Sequence, residues 1–357
     1  MKILSIETSC DETAAAVTEG RRVLSNVVFS QINIHKKYGG VYPALAKRAH
    51  EEKLPIVVKK AVKNAGIDLG EIGAIAVTFG PGLVVALEVG LRKAKKLASE
   101  LKKPLIPVNH LEAHFYSCWA QNRNGRPLRE FAFPFLGLVV SGGHTSLILV
   151  KNHLDYQVLG QTLDDACGEA LDKAAKVLGL GYPGGPIMEE LSLKGDPDFL
   201  DLPVPMKTHP GLNLSYSGLK TSFKNRVARL SQKTVRKNLP GLAASFQQVA
   251  FEAILVKLKR ALLTTGTKNL VAGGGVLANK KLRLLIKQLA LKLGVKVFFP
   301  PFPKLVGDNA AMVGVAGYYK YQEGIYLKKN FDPLDRIARP DLNLWTKNPP
   351  GVAKRAR

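Results

Sequence analysis

His110-Leu111-Glu112-Ala113-His114 carries two imidazoles four residues apart. On a helix that spacing puts both on one face about 6 Å apart, close enough to grip one metal ion. Two structural histidines are the plainer reading of the same residues. A zinc protease needs its glutamate directly after the first histidine, so that the carboxylate meets the metal-bound water. Glu112 comes two residues after His110 and points to the far side of the helix, which disfavours a metalloprotease. A metal also needs a third ligand. Asp308, in Gly307-Asp308-Asn309-Ala310-Ala311-Met312, offers one; the alternative is that Asp308 only caps the small-residue helix that follows.

Four polar turns follow apolar runs: the one carrying Asp11, then Gly80-Pro81-Gly82, Ser141-Gly142-Gly143 and Gly273-Gly274-Gly275. Glycines let the backbone approach a phosphate and turn its N–H groups towards it. None of the turns has the spacing of a P-loop or of GxGxxG, so neither of those nucleotide sites is indicated. Several such turns in one chain favour a nucleotide or phosphate ligand. Asp165, Glu169 and Asp172 fall at i, i+4 and i+7 of an expected helix whose other face carries Ala166, Leu171, Ala175 and Leu178. This acidic stripe is either a solvated face or a set of carboxylates for the hydroxyls of a ribose or other polar substrate.

The elements that must hold these residues follow from the apolar pattern. Residues 2–6 read as a buried strand, followed by a polar turn and a second short apolar run at 14–17. The same syntax returns at 136–140, 141–145 and 146–150, which suggests a duplicated architecture. A strand over 72–78 runs into Gly80 and a helix over 84–101; a strand over 270–272 runs into Gly273 and a helix over 277–293. Alternating strands and helices favour a mostly parallel sheet, with ligands beyond the C-terminal strand ends, where the glycine turns fall. The Pro/Gly-rich stretch 181–210 cannot be one regular element.

The 357 residues suggest two domains or one large two-lobed one. Hydrophobic residues at 46% and charged residues at 22% exclude disorder, collagen and coiled-coil arrays. The net charge of +24 asks for a polyanionic partner. Two acid-free basic segments, 224–237 and 280–296, point to nucleic-acid phosphates over a membrane surface. Cys10, Cys118 and Cys167 make neither a disulfide framework nor a zinc ribbon. With no export signal or membrane span expected, a reducing, cytoplasmic location follows.

Taken in order, Glu7-Thr8-Ser9-Cys10-Asp11-Glu12-Thr13, Gly80-Pro81-Gly82-Leu83, His110 to His114, Ser141-Gly142-Gly143-His144-Thr145, Asp164-Asp165 with Gly168-Glu169-Ala170 and Asp172-Lys173, Tyr182-Pro183-Gly184-Gly185-Pro186, Ser215 to Thr221 and Asp308 to Met312 resemble the tRNA N6-adenosine threonylcarbamoyltransferases, once described as O-sialoglycoprotein endopeptidases. The resemblance covers roughly residues 1–330. It implies an α/β, actin/sugar-kinase/Hsp70-like fold of two ribonuclease-H-like lobes with an interlobe nucleotide cleft. It implies an N-terminal lobe of 1–108 plus about 310–335, a C-terminal lobe of 109–309 and a basic, partly flexible tail over 336–357. The implied reaction moves a threonylcarbamoyl group from threonylcarbamoyl-adenylate to N6 of adenosine 37 in tRNAs reading ANN codons, releasing AMP.

By the same resemblance His110, His114 and Asp308 bind one divalent ion, iron or zinc. Val139, Val140, Ser141, Gly142, Gly143, Asp172, Gly185, Glu189 and Asn279 contact the adenylate, and Asp11 stands at the reacting end. The implied partners are tRNA, a smaller paralogous subunit meeting the region 42–53, and a P-loop ATPase subunit, with no membrane. Gly307, Cys167, Glu88, Ala44 and Lys47 depart from the family's usual residues. Two other classes share parts of the pattern. A small-molecule kinase of this fold would not need the three metal ligands together, and in a non-catalytic tRNA scaffold they would be idle.

Overall fold

The computed structural model describes residues 1–327 and the backbone of 352–353. Two five-stranded sheets carry the chain. The first is built from β1 (Lys2–Glu7), β2 (Glu12–Glu19), β3 (Arg22–Ser30), β4 (Ile72–Gly80) and β5 (Leu105–Asn109). The second uses β6 (Phe135–Val140), β7 (Thr145–Asn152), β8 (Asp155–Gln161), β9 (Asn269–Gly273) and β10 (Lys296–Phe298). Their orders are β3-β2-β1-β4-β5 and, read from the other edge, β8-β7-β6-β9-β10. In each, the first three strands form an antiparallel meander and the last two add in parallel. The duplication suggested by the repeated hairpins is therefore a duplication of whole sheets. A short β11 (Tyr326–Leu327) pairs with β12 (Val352–Ala353). The tail expected over 336–357 otherwise lies outside the described residues, as does the C-terminal part of the 310–335 segment assigned to the first lobe.

The helices are α1 (Ile32–His35), α2 (Pro43–Ala65), α3 (Val84–Glu100), α4 (His110–Tyr116), α5 (Cys167–Val177), α6 (Gly184–Ser192), α7 (Ser217–Ala228), α8 (Gln232–Lys237), α9 (Leu239–Thr265), α10 (Lys280–Lys292) and α11 (Ala310–Gln322). Alternation along the strands decides where they pack. Leu4 and Ile6 of β1 face α2 and α3, while Ile3 faces the opposite side. In β6, Leu136, Leu138 and Val140 face the helices α5, α7, α9 and α10, and Phe135 and Val139 face back. The two inward faces enclose α4 and α11, so apolar residues of both sheets meet in one central cluster. Strands buried on both faces read as unbroken apolar runs, which is how they stood out in the sequence.

As expected, the stretch 181–210 is not one regular element: α6 occupies part of it and the remainder is irregular. Two expectations need correction. The expected helix over 277–293 starts later: a 3-10 turn occupies Gly275–Ala278 and the Asn279 side chain caps α10 by accepting from Leu282 N–H. Asp165 precedes α5, which begins at Cys167, so the three acids do not form one helical stripe. Among the described residues, α9 is long and apolar enough to cross a membrane, but 67% of that window is buried inside the protein, where it forms part of the core.

Candidate active site

β5 ends at Asn109, whose side chain accepts from the N–H groups of Leu111 and Glu112 while Glu112 reaches back to Asn109 N–H, a capping box that starts α4 at His110. His110 and His114 therefore emerge on one face directly beyond a parallel strand, with ring centroids 4.7 Å apart. Asp308 arrives from the other side. The cap of α11 is Asn309, which accepts from Met312 N–H, so the capping role open to Asp308 belongs to its neighbour. The Asp308 carboxylate instead lies 3.6 Å from His110 Nε2 and 3.5 Å from His114 Nε2. One ligand atom from each of the three residues falls within 4.8 Å of the others.

The donor set fits a metal ion. His110 Nδ1 is 3.2 Å from the buried Glu7 carboxylate and 3.2 Å from Ser9 Oγ, which fixes the tautomer and leaves Nε2 to face Asp308. Both ring nitrogens of His114 are buried without a hydrogen-bond partner, and Nε2, the one that faces Asp308, is placed to ligate a cation. Burial drives His114 well below its ordinary range, and the His110 and His144 charges lower it further. Burial also lowers His110, but Asp308 and Glu7 outweigh it and hold the ring at about 9. Burial raises Asp308 to about 6 against the pull of His110, with Glu7 and Asp11 adding to the rise.

Around this centre the Cys10–Asp11–Glu12 turn is held by a buried chain. His50 Nε2 donates to Cys10 O (2.9 Å), its Nδ1 meets Thr13 Oγ1 (2.7 Å), and Gln31 N–H donates to Asp11 O (2.9 Å). The charge of Asp11 is felt at Asp308, Asp172 and Tyr182, so residues of both halves face one cleft. Across it, Ser141 N–H donates to His144 O (2.8 Å) and leaves Gly142 and Gly143 exposed between β6 and β7. Two close approaches shape this wall. A Cβ at Gly274 (φ +107°) would lie 2.4 Å from Val140 O, and one at Gly168 would lie 2.7 Å from Ser141 O.

The family model described as TsaD, tRNA N6-adenosine threonylcarbamoyltransferase, matches residues 22–315. The chain belongs to this family. A threonylcarbamoyltransferase of Clostridium beijerinckii is 44% identical over 96% of this chain and 98% of its own. Among solved structures, the (R)-2-hydroxyglutaryl-CoA dehydratase component A of Acidaminococcus fermentans is similar at TM-score 0.53 and 14% identity, over 90% of this chain and 98% of that one. The ROK hexokinase of Thermus thermophilus is similar at TM-score 0.50 and 15% identity, over 91% and 100%. These likenesses show the fold alone: actin/sugar-kinase/Hsp70-like, as the sequence motifs implied.

The other motif residues are engaged within the chain in different ways. Asp172 lends one oxygen to Gly184 and Gly185 N–H at the start of α6 (2.7 and 3.1 Å). Glu189 accepts from Lys280 N–H (2.8 Å), and the buried Asn279 side chain caps α10 and donates to Gln247. Val139 and Val140 are buried strand residues. Asp165 pairs with Lys173 and Lys220, and Glu169 with Lys173. Glu7 as the orienter of His110 went unrecognised in the sequence. So did His144, whose ring lies 6.1 Å from that of His110 and is pushed by burial and the His110 charge to about 4. A charged residue closing an otherwise apolar strand was the available signal for Glu7. Gly307 has open space where a Cβ would point, and Cys167 is an inert core thiol that burial raises to about 12.

Proposed function

We propose that this chain transfers the threonylcarbamoyl group of threonylcarbamoyl-adenylate to N6 of adenosine 37 in tRNAs reading ANN codons, releasing AMP. The observation that carries the site assignment is the partnerless Nε2 of buried His114, 3.5 Å from the Asp308 carboxylate and beside an oriented His110. His110, His114 and Asp308 hold one iron or zinc ion. Bound there, such an ion supplies Lewis acidity and orientation towards the oxygens of the adenylate. N6 of adenine is a weak nucleophile, so the chain must hold it against the activated carbonyl and stabilise the charge that develops. Asp11, fixed through its carbonyl by Gln31, takes or relays the N6 proton. Val139 to Gly143 line the adenylate wall together with Asp172, Gly185, Glu189 and Asn279; the exposed Gly142 and Gly143 leave backbone N–H groups open to its phosphate.

The lobes are 1–108 with the segment from 310, and 109–309, sharing the central α4/α11 layer. The smaller paralogue pairs at the α2/α3 face. There a groove of about 270 Å³ is lined by Lys47, Glu51, Pro55, Glu88, Arg92 and Lys96, so two residues unusual for the family, Lys47 and Glu88, meet in it. A P-loop ATPase subunit completes the assembly, which works in the cytoplasm. The test is transfer to tRNA from synthetic adenylate, with and without chelator, by wild type and by His110→Ala/His114→Ala. Expected are stoichiometric metal and transfer in the wild type, and neither in the folded variant. Full metal occupancy in the variant overturns the ligand assignment. Chelator-resistant phosphorylation of a sugar without transfer would favour the kinase class, and tRNA binding without transfer the scaffold.

A further inference from the structure

The face of α4 turned away from the histidines carries a second, buried polar feature. Lys320 Nζ lies 2.8 Å from Glu112 Oε1, and both side chains are fully excluded from solvent. Glu112 stands about 200° around the helix from each histidine, so it touches neither the metal position nor the cleft. Its Oε1 also accepts from Asn109 N–H (3.1 Å), the bond that closes the N-terminal cap of α4. Lys320 is near the C-terminal end of α11, whereas Asp308 lies just before its start. At 1.5 Å per residue the two ends are roughly 18 Å apart. The helix bearing the histidines is thus tied to the two ends of α11 through opposite faces.

Such a pair is a poor way to gain stability. Desolvating two charges offsets most of their attraction, and a hydrophobic pair of equal volume is often as stable or more so. What an ion pair adds over apolar packing is a fixed direction and distance. We propose that the Lys320–Glu112 ion pair is a positioning element for the metal site, setting the rotation of α4 so that His110 and His114 meet Asp308. This rests on the reading of those three residues as metal ligands. Apolar contacts between α4 and α11 resist separation but slide and rotate at little cost; the tie on the far face resists rotation. Glu112 and Lys320 are positioning residues, acting on the ligands through the helix between them.

The experiment is a Co(II) titration of the full-length chain, followed by the visible ligand-field band and by chelator competition, with thermal unfolding measured in parallel. In Glu112→Gln/Lys320→Met the charges leave together, and glutamine keeps an acceptor for Asn109. The expected result is a folded protein near wild-type melting temperature, with Co(II) affinity at least about tenfold weaker, the scale for lost outer-shell support, and a changed band. A folded double variant with wild-type affinity and spectrum overturns the proposal and makes the pair structural only. Should the double variant not fold, Glu112→Gln alone is judged by the same two outcomes. A wild type that binds no Co(II) overturns the ligand assignment itself and this proposal with it, so the two failures are distinguishable.

Discussion

The β1–β2 turn and the β6–β7 turn occupy equivalent places in two sheets of identical strand order, yet they are built from opposite materials. The first is acidic and pinned by side chains. Glu7 is buried and bonded to Ser9 N–H, Thr78 and His110, while His50 holds Cys10 O. The second is held by Ser141 N–H donating to His144 O and by His144 N–H donating to the Ser141 hydroxyl, with two bare glycines at its tip. Glu7 shows what the first turn does with charge: burial alone would raise its carboxyl, but His110, Thr78 and Ser9 outweigh that and hold it below its ordinary range. A duplicated frame thus offers two equivalent openings onto one cleft. On the reading proposed above, one would place carboxylates beside a cation and the other would present backbone N–H groups to an anion. Position comes from the fold, and the chemistry comes from what each turn is made of.

The largest effect expected from breaking this division is at Asp11. Asp11→Ala and Asp11→Asn should each lose transfer by at least about a hundredfold, the usual scale for a positioned acid–base group. Both should keep adenylate affinity, because binding belongs to the opposite turn. Single-turnover transfer and equilibrium binding of the adenylate measure the two separately. Near-normal turnover in Asp11→Asn would move proton transfer elsewhere.

How much of this contrast could be read in the chain depended on the range of the interactions. The strands, the repeated hairpin and the i, i+4 histidines were legible because period and local spacing encode them, whereas Asp308 as their partner came only with the family resemblance, its own local pattern reading first as a helix cap. The Glu7–His110 contact spans 103 residues and has no local signature. Lys320 carries no local sign of burial, and only packing between the sheets buries it beside Glu112. The acidic stripe failed for a different reason. Helical spacing was extended backwards through Asp165, whereas the chain enters α5 from a turn in which Thr162 Oγ1 donates to Asp165 O, and the acid faces Lys173 and Lys220. The apolar pattern showed that a helix was present but not where it began.

A second expected effect concerns which lobe holds the RNA. Segments 224–237 and 280–296 both lie on the second sheet's helices, and Lys224, Arg229, Lys233, Lys237, Lys281, Lys287 and Lys292 are exposed there. Arg283 is different, stacked 4.6 Å over the Phe299 ring, and is best left intact. Each phosphate contact contributes about 0.7 to 0.9 to the log–log salt slope of binding. Reversing Lys224, Arg229, Lys233 and Lys237 together should flatten the tRNA slope by up to about three units. Adenylate affinity should hold, since exposed charges are screened beyond about 10 Å. An unchanged slope after reversing both segments would shift the RNA path to the first lobe, towards Arg92 to Lys103.

A smaller effect tests the glycine turn directly. A Cβ at Gly143 meets nothing within 4 Å, so Gly143→Ala should fold with an unchanged melting temperature. If its backbone lies against the phosphate, the added methyl would crowd that approach, and adenylate binding should weaken by about tenfold, the scale of one hydrogen bond to a charged group held out of reach. Wild-type affinity would mean that the phosphate sits elsewhere along the wall.

The smallest expected effect separates the lobes by pH. Beyond β3 the first lobe is anchored by His35, bonded to Gln31 and to Tyr42 N–H, and by His50. Burial lowers both imidazoles from 6.5, with Asp11 partly opposing at His35 and Cys10 O, Glu7 and Asp11 at His50. Beyond β8 the second lobe is anchored by Asp164, accepting from Ser215, Tyr216 and Ser217, and by Asp165. Burial raises these carboxyls, but those hydrogen bonds, and for Asp165 Lys173 and Lys220, outweigh it and hold both below 3.8. In each case the folded value is the lower one, so the unfolded chain binds the proton first and stability falls with pH. For the histidines the loss begins as pH drops below 6.5, and for the aspartates only below 3.8. Hydrogen exchange corrected for its intrinsic rate should therefore show the 31–50 segment losing protection by pH 5.5 while 162–217 stays protected. His35→Gln/His50→Gln should remove the first loss and Asp164→Asn the second. Simultaneous loss in both segments would mean that the two anchors unfold as one unit, set by the shared α4/α11 layer and not by the lobes.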